Sequence, residues 1–238
     1  MTAAVVTGAA GAIGRAIAER LVADGWSVVC VDRSEAVTEV CDVLEARGGW
    51  AEPCIVDLAD PDAPRAVLAV ASALGGAGAL INNAGITRDA RATKMDEADF
   101  RLVVRVNAVA PLRLAEAVMP QMPEGGAVVN IASRAALGNF GQANYVAAKS
   151  ALVGATRALA MRWAPRLRVN AVAPGLVETP MTQAMPPAVY GKLVARVPAR
   201  HAADPTEVAE VVTFLASPRA SYITGQLLLA CGGRSIAG

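Results

Sequence analysis

The chain has 238 residues, of which 54% are hydrophobic and only 4% aromatic, and its formal net charge is +1. This length suits one domain over residues 1–238, and the near-neutral charge disfavours nucleic acid or an anionic membrane as a partner. Four scattered cysteines without a CxxC pair disfavour both a metal centre and a disulfide framework. Free thiols and an N-terminus without a signal peptide favour a cytoplasmic protein.

Seven short apolar runs alternate with longer helical patterns along the chain. The predicted strands are 3–6, 27–31, 51–56, 78–81, 127–132, 168–173 and 227–231. The predicted helices are 14–24, 35–47, 62–74, 99–119, 145–163 and 205–216. Because the strands are almost continuously apolar, we expect helices to cover both of their faces. The alternation therefore predicts an α/β fold with a doubly wound parallel sheet of about seven strands and helices on both faces.

The segment from about 179 to 204 contains four prolines and interrupts this alternation, so we expect a mobile flap there. Its apolar side chains either pack internally or form an apolar lid over a substrate; they are Met181, Met185, Val189, Tyr190, Leu193 and Val194. The single histidine, His201, is expected to be a loop residue and not a metal ligand. The sequence contains neither an acidic cluster nor a dense arginine cluster, so it does not indicate a cationic or a phosphorylated substrate.

A glycine-rich turn joins the first predicted strand to the first predicted helix. Gly8, Gly11 and Gly14 permit a tight turn and a close approach of the backbone, so that helix N–H groups can face a pyrophosphate. Ala12 and Ile13 complete the turn and are expected to contact the same ligand. A turn of this kind between a strand and a helix is typical of Rossmann-type dinucleotide sites.

Asp32 closes the second predicted strand, where a carboxylate can accept hydrogen bonds from an adenosine ribose. A 2′-phosphate at the same place would face a like charge, so NAD is predicted in preference to NADP. The next residue, Arg33, leaves NADP open as the less favoured alternative, because a guanidinium can bind that phosphate.

Tyr145 and Lys149 lie four positions apart on one predicted apolar helix. An ammonium group one helical turn away would favour the phenolate, so we expect Lys149 to lower the pKa of Tyr145 and make it a general acid and base. The simpler alternative is a lysine whose aliphatic stem packs on the helix while its ammonium group reaches water.

An ordered series of motifs gives the chain a wider resemblance. The pieces are "TGAAGAIG" (7–14), Asp57, "NNAG" (82–85), Asn107, "NIAS" (130–133), "YVAAK" (145–149) and "PGLVETPM" (174–181). With these motifs the chain resembles the classical short-chain dehydrogenases/reductases over nearly its whole length. Within that family its motifs are most similar to those of the 3-oxoacyl-acyl-carrier-protein reductases, although Ala12 replaces the usual middle glycine of the first motif.

The resemblance implies a dinucleotide-dependent oxidoreductase that interconverts a secondary alcohol and a ketone, and Asp32 favours NAD(H) as its cofactor. It implies that Tyr145 is the general acid/base, that Lys149 also binds the nicotinamide ribose, and that Ser133 donates a hydrogen bond to the substrate oxygen. Asn107 would order a water that links Lys149 to solvent. Further cofactor contacts are implied for Asp57, Leu58, Asn83, Ala84, Gly85, Pro174, Gly175, Val177 and Thr179.

The favoured substrate is a small-molecule ketone or alcohol, with a 3-oxoacyl thioester as the leading class. The alternatives are a catabolic dehydrogenase of an alicyclic alcohol, polyol or hydroxy acid and, more remotely, a dinucleotide-binding sensor without catalysis. The resemblance also implies a homo-oligomer, either a tetramer or a dimer.

Overall fold

The structure is a computed structural model that describes residues 2–237, apart from the side chain of Met181. Seven strands form one sheet in the order β3-β2-β1-β4-β5-β6-β7, and every neighbouring pair is parallel. The strands are β1 Ala3–Thr7, β2 Ser27–Asp32, β3 Ala51–Ile55, β4 Ala77–Asn82, β5 Ala127–Ile131, β6 Arg168–Pro174 and β7 Leu227–Ala230. All seven predicted strands are confirmed.

Helices cover both faces of the sheet, as predicted. They are α1 Ala12–Ala23, α2 Val37–Ala46, α3 Ala63–Ala73, α4 Glu97–Val104, α5 Ala110–Val118, α6 Ala143–Trp163, α7 Pro180–Gln183, α8 Pro187–Ala195 and α9 Pro205–Ala216. Helices α1, α2 and α9 bury one face, and α3, α5 and α6 bury the other. Every residue of β1, β4, β5 and β6 is buried, which explains why these strands are almost continuously apolar.

The strand order reverses between β1 and β4. The chain runs from β1 outward to β2 and β3, and then crosses back to place β4 on the other side of β1. Loops at the carboxyl ends of β1 and β4 consequently diverge, and a crevice opens between them. This crevice is the position at which doubly wound folds bind their ligands.

Two segments differ from the predicted elements. A π-helical turn, Arg105–Val109, interrupts the helix predicted over 99–119 and separates α4 from α5. The predicted flap does break the alternation, but it contains α7 and α8, which were not predicted. Proline at the first turn of each of these helices removes an N–H group that would have no partner there. Mobility of the flap stays a prediction.

The four cysteines, Cys30, Cys41, Cys54 and Cys231, are all free and buried. Among residues 2–237, no three His, Cys, Asp or Glu side chains gather as metal ligands would. Within the same residues, no helix has the length and apolar character needed to cross a membrane.

Candidate active site

The glycine-rich turn between β1 and α1 leaves no room for side chains. Gly8 has φ +67°, and a Cβ added there would lie 2.9 Å from the Cα of Ala84. A Cβ on Gly14 would lie 2.1 Å from the carbonyl oxygen of Gly8. Helix α1 begins without a side-chain cap and without an acidic residue in its first turn. Its free N–H groups and its positive dipole end therefore suit an anion such as a pyrophosphate.

Hydrogen bonds fix this turn against the end of β4. The hydroxyl of Thr7 accepts from the backbone N–H groups of Asn83 at 2.9 Å and Ala84 at 3.0 Å. The side-chain amide of Asn83 donates to the carbonyls of Thr7 at 2.9 Å and Gly8 at 3.2 Å. Asn83 thus positions the turn as well as lining the cavity, and Thr7 is a positioning residue to which the sequence reasoning gave no role.

Asp32 and Arg33 lie at the far end of the same crevice. The Asp32 carboxylate accepts from the N–H groups of Ala10 at 3.1 Å and Ser34 at 3.0 Å, which fixes its orientation. Asp32 borders both a main cavity of about 530 Å³ and an adjoining side cavity of about 180 Å³. Arg33 lines only the side cavity.

Three predicted catalytic residues line the other end of the main cavity. Ser133 follows β5, and its hydroxyl accepts from the N–H of Ala135 at 3.1 Å, so its own proton can be donated to Tyr145 or to a substrate oxygen. Tyr145 and Lys149 lie on α6, with the Lys149 ammonium 5.6 Å from the centre of the phenol ring. Lys149 is buried and donates to the carbonyl of Ile131 at 2.7 Å. The lysine thus reaches into the site and not into water.

The pKa of Tyr145, at the catalytic end of the main cavity, differs in direction from the prediction. The pKa of Tyr145 is raised above its usual value, first by burial, while hydrogen bonding with Ser133 lowers it and the charge of Asp89 raises it. The pKa of Tyr145 is thus raised and not lowered as predicted, because loss of hydration at the phenol dominates. Burial also lowers the pKa of Lys149 to about 8.

Asn107 lies behind the cavity wall and does not line the cavity. It belongs to the π-helical turn and is fully buried. Its side-chain amide donates to the carbonyls of Ile86 and Val103, both at 2.9 Å, and accepts from the N–H of Ile86 at 3.3 Å. The side chain therefore holds the segment that follows β4. A Cβ on Gly85 would lie 2.5 Å from its oxygen, so glycine is required there. The water-ordering role stays a prediction.

The remaining predicted cofactor residues separate into two groups. The main cavity is lined by Gly8, Gly11, Ala12, Ile13, Gly14, Asn83, Ala84, Gly85, Pro174, Gly175, Val177 and Thr179. Asp57 and Leu58 line the side cavity with Arg33. Sequence reasoning missed further lining residues, namely Ile86, Thr87, Ile131, Ala132, Leu176, Pro180, Thr182, Val56, Ala59, Arg88, Leu102 and Val106. Most of these adjoin a recognised motif, whereas nothing in the sequence pointed to Leu102.

The doubly wound sheet and the glycine-lined crevice define a Rossmann-type dinucleotide-dependent oxidoreductase. Residues 8–235 match the family model described as "Enoyl-(Acyl carrier protein) reductase". The chain is 40% identical to a 3-oxoacyl-acyl-carrier-protein reductase of Vibrio cholerae, over 97% of this chain and 96% of that relative. It is 42% identical to an uncharacterised oxidoreductase of Mycobacterium bovis, over 98% and 96%. The chain belongs to the short-chain dehydrogenase/reductase family.

A solved structure from Beutenbergia cavernae has a very similar fold, with a TM-score of 0.92 and 39% identity over 98% of this chain and 96% of that one. That protein carries a provisional assignment as an NAD(P)-dependent gluconate 5-dehydrogenase, and it holds NADP at low occupancy.

Proposed function

We propose that this enzyme moves a hydride between a nicotinamide dinucleotide and a ketone or secondary alcohol, with a 3-oxoacyl thioester as the leading substrate. The observation that carries the proposal is a single cavity with Ser133, Tyr145 and Lys149 at one end and the glycine-rich turn at the other. The similarity to 3-oxoacyl-acyl-carrier-protein reductases over 97% of the chain supports the thioester.

The residues present fit a dinucleotide. The uncapped start of α1 offers N–H groups to a pyrophosphate. The Asp32 oxygens each accept one backbone N–H and keep further lone pairs for ribose hydroxyls. We propose NAD over NADP on this ground, since Asp32 would repel a 2′-phosphate, although the Beutenbergia cavernae protein holds NADP.

When bound, the nicotinamide supplies or takes up the hydride. Ser133 donates a hydrogen bond to the substrate oxygen as negative charge develops there. Tyr145 then gives its proton to that oxygen, and its raised pKa keeps the phenol protonated at neutral pH until the oxygen becomes basic. Lys149 uses one of its three donors on Ile131 and keeps two for the nicotinamide ribose.

A dehydrogenase of a polyol or hydroxy acid is the second candidate, because the Beutenbergia cavernae protein is assigned to gluconate. A sensor without catalysis is disfavoured, since Tyr145 and Lys149 are both present on the cavity wall.

We also propose a homo-oligomer, because Leu228 and Leu229 on the edge strand β7 are 44% and 38% exposed in the single chain. Free, buried thiols are consistent with the cytoplasm as its proposed location.

The test is a panel of ketones reduced with NADH and NADPH, containing a 3-oxoacyl thioester, a cyclic ketone and a keto sugar. We expect the thioester to give the highest kcat/KM. Tyr145→Phe should lower kcat about 100-fold or more and leave the cofactor Kd nearly unchanged, because the phenol proton is lost while the dinucleotide contacts remain. No turnover of any 3-oxoacyl thioester would remove that substrate class, and an active Tyr145→Phe variant would remove the mechanism.

A further inference from the structure

Three polar side chains lie in the apolar layer between the sheet and α6. Asn82 is the last residue of β4, Asn130 lies on β5, and Thr156 lies on the buried side of α6. They are 3%, 1% and 1% exposed. Asn82 and Asn130 are direct partners in the register of the two strands. On the same face, the residues two positions earlier are Leu80 and Val128, which belong to the apolar core.

Hydrogen bonds connect these side chains in one direction. The amide of Asn82 donates to the side-chain oxygen of Asn130 at 2.8 Å. The amide of Asn130 donates to the hydroxyl of Thr156 at 2.9 Å, and that hydroxyl donates to the carbonyl of Leu152 at 2.8 Å. Asn82 also donates to the carbonyl of Pro111 on α5 at 3.4 Å. The polar side chains therefore connect β4, β5, α5 and α6 beneath the candidate site.

Helix α6 is consequently attached to β5 by two directional contacts. Lys149 donates to the carbonyl of Ile131 at 2.7 Å, and Thr156 accepts from the side chain of the preceding residue, Asn130. Lys149 and Thr156 lie about two helical turns apart on the same face of α6. One contact fixes a single distance, whereas two contacts also limit how far the helix can slide or rotate on the strand.

The register of α6 on β5 determines where the reacting groups lie. Ser133 follows β5 just beyond Asn130, and Tyr145 lies in the first part of α6. The other contacts between this helix and the sheet are made largely by apolar side chains such as Leu159 and Ala160. Apolar contacts attract without a preferred direction, so they define the register less sharply than hydrogen bonds do.

The polar side chains do not have the composition expected if stability alone decided it. The side-chain oxygen of Asn82 is buried and has no hydrogen-bond partner among residues 2–237. Burial of such an acceptor costs free energy, and apolar side chains of similar size would avoid this cost. A buried polar network can instead specify one arrangement of the elements that it connects.

We propose that Asn130 and Thr156 are positioning residues that set the register of α6 on β5 and thereby hold Tyr145 and Lys149 in place for proton transfer. This inference rests on the proposed function, because it gives the two side chains a part in that reaction. Neither of them lines the main cavity or the side cavity, so both act through their neighbours.

Thr156→Val tests the proposal, because valine keeps the shape of the side chain and removes its hydroxyl. We expect kcat for ketone reduction to fall about tenfold, with KM and the dinucleotide Kd within about twofold of the parent, since the phenol loses its fixed position while the cavity lining is unchanged. Thr156→Ser restores the hydroxyl and should restore kcat. Thr156→Ala removes the hydroxyl without the second methyl group of valine, and should lose kcat as Thr156→Val does. Steady-state kinetics and fluorescence titration measure these quantities.

Thr213→Val is the matched control. Thr213 is also buried, but it lies on α9, and its hydroxyl donates to the carbonyl of Glu210 in the same helix at 3.3 Å. Its substitution tests whether loss of a buried hydroxyl is enough to lower kcat, and we expect kcat to be unchanged. An equal loss of kcat in Thr213→Val, a parental kcat in both Thr156→Val and Thr156→Ala, or no recovery in Thr156→Ser would overturn the proposal.

The pKa of Lys149 gives a measurement that does not depend on activity. The only other lysines in the sequence are Lys94 and Lys192, so NMR of isotope-labelled lysine can follow each one through a pH titration. In Thr156→Val we expect the pKa of Lys149 to fall below its value of about 8, because a less well placed Ile131 carbonyl favours the ammonium less. In Thr213→Val it should stay at about 8.

This titration separates the inference from the proposed function. If no ketone is reduced with either cofactor, the proposed function fails, and the pKa of Lys149 alone decides whether Thr156 positions the lysine. A pKa of Lys149 that does not fall in Thr156→Val, or that falls equally in Thr213→Val, would then overturn the inference.

Discussion

Lys149 is a buried cation in the candidate site, and its burial opposes stability. Burial lowers its pKa to about 8, whereas an exposed lysine has a pKa of 10.5. Below pH 8 the folded chain therefore holds a charge that water would solvate better. The difference between these values corresponds to about 3 kcal/mol of unfolding free energy.

We accordingly expect Lys149→Met to raise stability at pH 7 while abolishing most activity. The gain should be about 2 kcal/mol, because the lost hydrogen bond to Ile131 offsets part of the benefit, and Tm should rise by about 4–8 °C. Thermal unfolding followed by circular dichroism measures this change. Lys94→Met, at an exposed lysine, is the control and should leave Tm nearly unchanged.

The sign of the pH dependence follows from the same lysine. Between pH 8 and pH 10.5 the unfolded chain keeps the Lys149 proton and the folded chain has lost it, so stability from this group rises with pH. The difference in unfolding free energy between Lys149→Met and the parent should therefore shrink across that range. A difference that stays constant from pH 7 to pH 10.5 would contradict the buried charge.

The start of α6 is fastened to the loop after β4 by polar side chains. Asn144 is fully buried, donates to the carbonyl of Arg88 at 2.8 Å and accepts from the N–H of Tyr145 at 2.7 Å. At the surface, Gln142 donates to the carboxylate of Asp89 at 2.9 Å. Both contacts hold the first turn of α6, and with it the phenol, against the cavity wall.

Asn144→Ala should lower kcat about tenfold or more, with a smaller change in KM, because the phenol loses its fixed orientation. Gln142→Ala is the matched comparison, since it removes an exposed contact between the same two segments, and we expect it to change kcat less than threefold. Steady-state kinetics measure both variants. Similar losses in the two, or a loss confined to cofactor binding, would contradict a positioning role for Asn144.

Several elements were predictable because their pattern is local. The seven strands are almost continuously apolar, and each glycine-rich or proline-rich break lies where the chain turns. The π-helical turn at Asn107 was not predictable, since one extra residue in a helical turn leaves the apolar pattern of 99–119 intact. The direction of the pKa shift at Tyr145 was also missed. The spacing of four residues between Tyr145 and Lys149 indicates a nearby positive charge, but it does not show that burial removes water from the phenol.

Across the whole molecule, the candidate site runs along one edge of the sheet. Asp32 at the end of β2 borders the side cavity, and Tyr145 borders the opposite end of the main cavity. Motifs spread over the sequence from Gly8 to Thr179 meet along this edge because parallel strands bring their carboxyl ends together. The sequence thus indicated most of the lining of the two cavities.

We expect Asp32, at one end of this edge of the sheet, to set the preference for NADH over NADPH. Asp32→Ala should shift the ratio of NADPH to NADH affinity about tenfold toward NADPH, because a like charge is removed and Arg33 remains. Fluorescence titration with both cofactors measures the ratio. Asp42→Ala, at an exposed carboxylate on α2, should leave it unchanged. Tighter binding of NADPH by the parent, with no change in Asp32→Ala, would refute the role of Asp32.

Alkylation of the four buried thiols can report where the folded chain opens. Cys30, Cys41 and Cys54 lie on β2, α2 and β3, whereas Cys231 follows β7 at the other end of the sheet. An alkylating reagent can reach any of them only when the surrounding structure opens. Mass spectrometry of the labelled peptides would therefore show, without any engineered probe, which flank of the sheet loosens first on warming.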